Sequence, residues 1–429
     1  MFDSYFFEAK KIVKKYFEHL DRNQKSHSST KVPLAVPPYG WQEVCEALDS
    51  MLSRKTTMGN KVGRFEEDFA RYIGVKYAIM VNSGSSANLL ALSILANPSF
   101  GKNRIKNRDE VITPAVTWAT TVYPIVNVGA KPVFVDVDLK TYDIDPNKIE
   151  QAITKKTKAI MPVHLLGYPC DMNKIKKIAN KFDLCIIEDS CEAHGAEYCG
   201  RKVGSFGDIG TFSFFASHHI TTMEGGMLVT NNREIFELGK SLRAFGWIRD
   251  LHDKGNHSKK YPEIDSRFLF INMGYNIRPT EIQGAFGIHQ IRKLDNLIKI
   301  RIKTARYWKK RLVPYSKYIM LPAEDRLHKN VYMTYPITVI KNDYFNKNEL
   351  VAFLEKNGIE TRPVMAGNMV EQPSSRLFSH RVSGKLKNSE YIMKNSFLIG
   401  NHQGINERMR KHVADVISQF IDRKVGVAS

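Results

Sequence analysis

The chain has 429 residues, 43% of them hydrophobic, and sets 64 Lys and Arg against 44 Asp and Glu for a net charge of +20. This length supports a large core and a second, smaller unit, and no run approaches the ~20 uninterrupted apolar residues of a membrane span. The charge suits an anionic ligand. The lysines are dispersed in small clusters such as Lys155-Lys156 and Lys259-Lys260, without a nucleic-acid-binding motif, so neither a nucleic acid nor a membrane is an expected partner.

Residues 1–32 are expected to form an N-terminal helical extension. Phe6, Phe7, Ile12 and Val13 are interleaved with Lys10, Lys11, Lys14 and Lys15. That pattern is amphipathic and lacks the clean apolar segment of a secretory signal, so the chain reads as soluble and cytoplasmic. A polar stretch from Asn23 to Thr30 follows, and Val44, Leu48 and Leu52 then predict a helix over Trp41–Ser53. Seven short apolar runs alternate with helical segments: Tyr77–Val81, Glu110–Thr113, Pro132–Val137, Ala159–Val163, Leu184–Glu188, Ile209–Phe215 and Gly226–Val229. Continuous apolar runs of this length suit strands buried on both faces, and strand–helix alternation predicts a three-layer α/β domain over residues 33–295. Helices from Thr280 to Arg311 act as a bridge. Beyond them, Tyr332–Ile340 and Gly358–Pro363 are strand candidates in a smaller α+β domain over residues 296–429. The five cysteines, an odd number without a C-x-x-C pair, read as reduced thiols.

Three segments carry chemistry. Asn82-Ser83-Gly84-Ser85-Ser86-Ala87-Asn88 follows a strand and opens a helix, so free N–H groups and hydroxyls there form a phosphate cradle or a plain capped turn. Leu184 to Glu192 is an apolar strand ending in acids. In open α/β sheets ligands sit at the carboxyl ends of strands, and Asp189 there could pair with a protonated pyridine nitrogen. The third segment runs from Gly210-Thr211-Phe212-Ser213 through Ser217-His218-His219-Ile220 to Thr222-Met223-Glu224-Gly225-Gly226.

Together these segments resemble the DegT-type sugar aminotransferase and dehydratase family. The resemblance implies the fold of type I pyridoxal-phosphate enzymes: a mostly parallel seven-stranded sheet with helices on both faces, plus a smaller C-terminal α+β domain. It implies pyridoxal or pyridoxamine 5′-phosphate as cofactor. Gly84, Ser85, Ser86 and Ser213 would hold the phosphate, Trp118 would stack on the ring, Asp189 would pair with the ring nitrogen, and Glu192 would lie beside it. Asn276, in Gly274-Tyr275-Asn276-Ile277-Arg278, matches a position that reaches the cofactor phosphate of the neighbouring subunit, so a homodimer is implied. His219, Arg278, Arg362, Asn368 and His402 match positions near substrate.

Aminotransferases of this family carry their Schiff-base lysine where this chain has His218, and a glycine where it has Met223. No lysine occurs from Val203 to Gly239. A histidine cannot hold the cofactor covalently but moves protons near neutral pH. The resemblance then implies dehydration instead of amination, with His218 as catalytic base. The substrate would be a GDP- or CDP-linked 4-keto-6-deoxy sugar and the product a 4-keto-3,6-dideoxy sugar for O-antigen or polysaccharide synthesis, with L-glutamate restoring the amine form of the cofactor. One dehydratase branch also holds a [2Fe–2S] cluster served by a reductase. This chain has Cys191 at the first cluster position but no cysteine after Cys199, so no metal and no reductase are expected. Gly400-Asn401-His402-Gln403 is similar to the cluster-free, GDP-sugar branch, whereas the N-terminal extension is more like the CDP-sugar branch. Phe245 stands where the GDP-sugar branch has a histidine. The alternatives are an aminotransferase-like protein acting on a 4-keto nucleotide sugar and a non-catalytic binding protein of the same fold.

Overall fold

The computed structural model describes residues 2–26 and 31–426. Helix α1 (Phe2–Ser26) is the expected extension and runs further than the sequence suggests, through Ser26. Residues 27–30 of the predicted polar stretch lie outside the described residues. Helix α2 (Trp41–Leu52) and helix α3 (Asn60–Ile73) follow, and Gly74, at φ 85°, ends α3 in the left-handed conformation glycine adopts freely.

All seven apolar runs form strands: β1 (Tyr77–Val81), β2 (Glu110–Pro114), β3 (Lys131–Val135), β4 (Thr157–Ile160), β5 (Cys185–Asp189), β6 (Ile209–Ser213) and β7 (Gly226–Thr230). Their order is β1-β7-β6-β5-β4-β2-β3, and a two-residue strand, Arg381–Val382, adds to the outer edge beside β3. Every pairing is parallel except those of β7, which runs antiparallel to both β1 and β6. β6 and β7 are joined by residues 214–225, which form turns and contain no helix of the kind that usually makes a parallel crossover. Helix α4 (Gly84–Ala96) leaves the end of β1, with the Ser83 side chain accepting from Ser86 N–H at 3.1 Å. Helix α5 (Ala119–Asn127) follows β2.

Helix α6 (Glu281–Leu312) starts at a Thr280–Gln283 capping box and spans 32 residues. Its first half packs Ile288, Ile291, Leu294 and Ile298 with Phe65, Phe69, Phe212 and Phe214. Its second half packs Ala305, Trp308 and Leu312 against a second, antiparallel sheet. That sheet orders Ile319–Met320, Thr334–Val339, Ser396–Gly400 and Thr361–Pro363. The expected division at 295/296 therefore falls inside a continuous helix. Two of the four strands, Ile319–Met320 and Ser396–Gly400, were not among the predicted strands; the first has two residues, and the second carries the apolar run Phe397-Leu398-Ile399. Among the described residues no helix is long and apolar enough to cross a membrane.

Candidate active site

The ends of β1, β6 and β7 meet at one point. Ser213 and Val81 both register with Gly226, and a Cβ on Gly226 would lie 2.2 Å from the Ser83 carbonyl oxygen. A Cβ on Gly84 would lie 2.4 Å from the Cβ of Ser213 and 2.8 Å from its Oγ. Only glycines allow this approach, and it sets the Ser213 hydroxyl against the N-terminus of α4. The first N–H groups of a helix have no intrahelical acceptor, so Gly84, Ser85 and Ser213 together present donors to one anion. Ser86 Oγ is held by Asn82 Oδ1 at 2.6 Å and Ser83 Oγ at 3.0 Å, which fixes the turn. A phosphate fits this cradle.

Asp189 ends β5 and is buried. Its Oδ2 accepts from Asn88 Nδ2 (2.9 Å) and Thr121 Oγ1 (2.8 Å), its Oδ1 from Cys191 N–H (3.2 Å). Asn88 accepts in turn from Thr211 at 2.6 Å, and Thr117 and Thr121 share a 2.7 Å bond. Trp118 caps α5 one turn before Thr121 and is 55% exposed, so its ring is available to a ligand beside Asp189. Glu192 is buried and accepts the Leu166 N–H at 2.7 Å. Burial, reinforced by Asp189, pushes its carboxyl up to about 8, so it is mostly protonated at neutral pH. Cys191 sits beside Asp189, and burial pushes its thiol up as well.

His218 lies in the loop between β6 and β7, half-buried. Its Nδ1 is 3.5 Å from Ser217 Oγ, and its ring is 6.1 Å from that of His194. Desolvation first, and the charge of Arg301 second, lower its imidazole to about 4. Met223, at φ 70°, occupies the left-handed region, which explains why family aminotransferases place glycine there.

The remaining predicted residues divide. Asn368 lies in a segment that pairs with residues 115–117, directly before Trp118, but it is buried and its Oδ1 caps Val370 N–H. Arg362 is exposed on the second sheet, Nη1 donating to the Thr361 carbonyl. His219 is fully buried, Nε2 3.2 Å from the Val331 carbonyl, and His402 is buried with Nε2 2.9 Å from the Pro33 carbonyl. The structure thus gives these two histidines packing surroundings and does not bring them to the pocket surface. Asn276 is exposed and accepts from Arg278 Nε at 3.0 Å, while the Arg278 guanidinium lies 4.9 Å from the centre of the Phe245 ring. Segments 244–250 and 268–278 pair with each other and expose Phe245, Phe268, Phe270, Met273 and Tyr275 around Asn276.

Residues 40–418 match the DegT/DnrJ/EryC1/StrS aminotransferase family. The chain belongs to this family. A GDP-4-keto-6-deoxy-D-mannose 3-dehydratase of Yersinia pseudotuberculosis is 39% identical over 375 residues, 86% of this chain and 94% of the relative. The lipopolysaccharide biosynthesis protein RfbH of Salmonella typhimurium is 36% identical over 401 residues, 90% of this chain and 91% of that protein. The solved structure of E. coli GDP-4-keto-6-deoxy-D-mannose-3-dehydratase with bound hydrated PLP matches with a TM-score of 0.83 at 36% identity, over 90% of this chain and 99% of that one. A GDP-4-keto-6-deoxymannose-3-dehydratase with a trapped PLP-glutamate geminal diamine matches with a TM-score of 0.84 at 36% identity, over 90% and 100%. Membership confirms the aminotransferase fold expected from the motifs.

Within this family fold, several supporting residues had escaped the sequence reading. Asn88 ends the Asn82–Asn88 turn segment and Thr121 follows Trp118 by three residues, yet nothing local marks them as partners of Asp189. The buried pair His164–Glu188, 3.0 Å apart, sits one position behind Asp189, and Glu188 also accepts N–H groups from Gly204, Phe206 and Gly207. Arg301 had a legible signal: it is a charged residue on the apolar stripe of α6.

Proposed function

We propose that this protein is a cytoplasmic, homodimeric 3-dehydratase that uses pyridoxamine and pyridoxal phosphate on a nucleotide-linked 4-keto-6-deoxy sugar. The observation that carries the proposal is His218 in the position of the family's lysine, beside a cradle and carboxylate that suit the cofactor. Relatives named for GDP-linked substrate support a GDP-sugar as the first compound to test.

When bound, the cofactor supplies an amine to join the sugar's ketone and a ring that accepts electrons. The protein supplies the rest. Ser213, Ser85 and the N-terminus of α4 would hold the phosphate, Asp189 the ring nitrogen, and Trp118 would cover the ring. Nδ1 of His218 faces Ser217, which leaves Nε2 as the acid–base group that would move the proton as the sugar's C3 hydroxyl departs. The net change replaces C–OH by C–H at C3, a two-electron reduction. The electrons come from glutamate, which leaves as 2-oxoglutarate and ammonia. Exposed Phe245, Phe268, Phe270 and Met273 form an apolar face of the kind a monomer seldom leaves uncovered, which supports a dimer that brings Asn276 to the partner's phosphate.

Purified protein given cofactor, L-glutamate and GDP-4-keto-6-deoxymannose should release 3-deoxy sugar, 2-oxoglutarate and ammonia in equal amounts, without added reductase or iron. Formation of a 4-amino sugar, or a borohydride-reducible cofactor–lysine bond found by mass spectrometry, would overturn the proposal.

A further inference from the structure

On α6, buried residues follow at spacings of three and four: Leu294, Leu297, Ile298, Arg301, Ala305, Trp308 and Leu312. One of them carries a full charge. Arg301 is 1% exposed. Its Nη1 donates to the carbonyls of Met333 (2.7 Å) and Asn401, its Nη2 to the carbonyl of His218 (3.4 Å), and its Nε meets no acceptor among the described residues. Burial alone acts on its titration and lowers it; no carboxylate among the described residues offsets the charge. A buried cation without a counter-ion is costly, and carbonyl dipoles offset only part of that cost.

Beyond the His218 carbonyl lie three imidazoles. The His194 ring is 6.1 Å from His218 and 5.6 Å from His219. Phe69, Phe212 and Phe214 enclose His194, whose ring also lies against the Ser213 backbone. His219 has one nitrogen on the Val331 carbonyl and the other unpartnered. Protonating any of the three would place a second cation in a region that already holds one without a counter-ion.

We infer that Arg301 is a positioning residue for proton transfer: its guanidinium ties the His218 loop to the Met333 and Asn401 carbonyls, and its unpaired charge disfavours a second cation on the neighbouring imidazoles, adding to what their burial already does. The inference rests on His218 being the base. The titratable groups facing His218 are Arg301 from α6, His194 from the segment after β5, and His219 from its own loop. Burial is the larger cause lowering all three histidines, and the charge of Arg301 acts in the same direction on each. An imidazole neutral at physiological pH is ready to accept a proton, whereas a protonated one has no base to offer.

The test is a pH titration of the cofactor-loaded dimer with 13Cε1-labelled histidine, followed by NMR, with His218→Asn assigning the signal. The wild-type His218 midpoint should lie near 4. In Arg301→Gln it should rise by about one pH unit or more, and the acid limb of turnover should rise with it. Arg301→Lys keeps the charge and loses the fork, so it should hold the low midpoint while lowering kcat on the plateau. A folded, loaded Arg301→Gln with an unmoved midpoint overturns the inference. So does Arg301→Lys moving the midpoint as far as Gln does. If neither variant folds, a wild-type midpoint at or above the ordinary value of about 6.5 overturns it without them. Turnover of His218→Asn is read separately: if it persists, the assignment of the base fails, while the titration still decides whether Arg301 controls that imidazole.

Discussion

Asp189 ends β5 and His218 follows the end of β6, its neighbour in the sheet, yet the two side chains are held very differently. Asp189 accepts three hydrogen bonds, and the groups that donate two of them, Asn88 and Thr121, are themselves bonded to Thr211 and Thr117. His218 has a 3.5 Å approach to Ser217 Oγ, and its neighbour His219 leaves one ring nitrogen unpartnered among the described residues. The carboxylate is over-determined in position by its donors. The imidazole has few partners, so desolvation and the nearby Arg301 decide its charge.

The variant that breaks this comparison most directly is His218→Asn. Loss of a positioned acid–base group costs roughly 10²–10⁴-fold in rate, while the cradle and Asp189 are untouched. Sugar turnover should fall by that factor with cofactor affinity nearly unchanged, as read by absorbance titration and product release. His219→Asn is the control: it loses a bond to the Val331 carbonyl, worth about 0.5–1.5 kcal/mol of stability, and should keep most turnover. The reverse outcome would move the base to His219.

The next effect sharpens the rigid side. Gly84→Ala places a Cβ 2.4 Å from that of Ser213, and overpacking of this kind typically costs about 1–3 kcal/mol. The clash falls at the phosphate cradle, so it should appear as weaker cofactor binding, roughly tenfold or more. Adding Ser213→Gly should relieve the clash and recover stability, read as a denaturant midpoint, without restoring cofactor affinity, because it also removes the Ser213 hydroxyl from the cradle. Unchanged cofactor affinity in Gly84→Ala would mean that the α4 N-terminus is not the phosphate site.

The same contrast explains what was legible in the sequence. All seven large-sheet strands announce themselves as apolar runs because both faces of that sheet are covered. Gly84 and Asp189 stand out locally, at a turn and at a strand end, whereas Ser213 and His218 were singled out only through the family resemblance. The partners of Asp189 come from α4 and α5, and Arg301 comes from a helix more than eighty residues beyond His218; only tertiary packing joins them. His219 and His402, matched by motif to positions near substrate, turn their rings onto the Val331 and Pro33 carbonyls, contacts that no local sequence pattern announces. The antiparallel course of β7 was likewise invisible in its apolar run, since a strand buried on both faces reads the same in either direction.

The last expected effect is on stability and not on turnover, and concerns Glu192, three residues after Asp189. Its carboxyl is raised from 4.5 to about 8, chiefly by burial and further by Asp189, against the pull of the Leu166 N–H. Between those two values the folded state holds a proton that the unfolded chain has released, so stability falls as pH rises through this window. Glu192→Gln removes the titration yet keeps a carbonyl oxygen to accept the Leu166 N–H. Denaturant midpoints should therefore differ least between variant and wild type near pH 5. The variant's advantage should grow toward pH 8, with a slope on the order of 1 kcal/mol per pH unit at most. Parallel pH curves would show that Glu192 stays ionised in the folded protein, and would weaken the contrast with His218, because a buried charge beside Asp189 would then rest on the single Leu166 N–H.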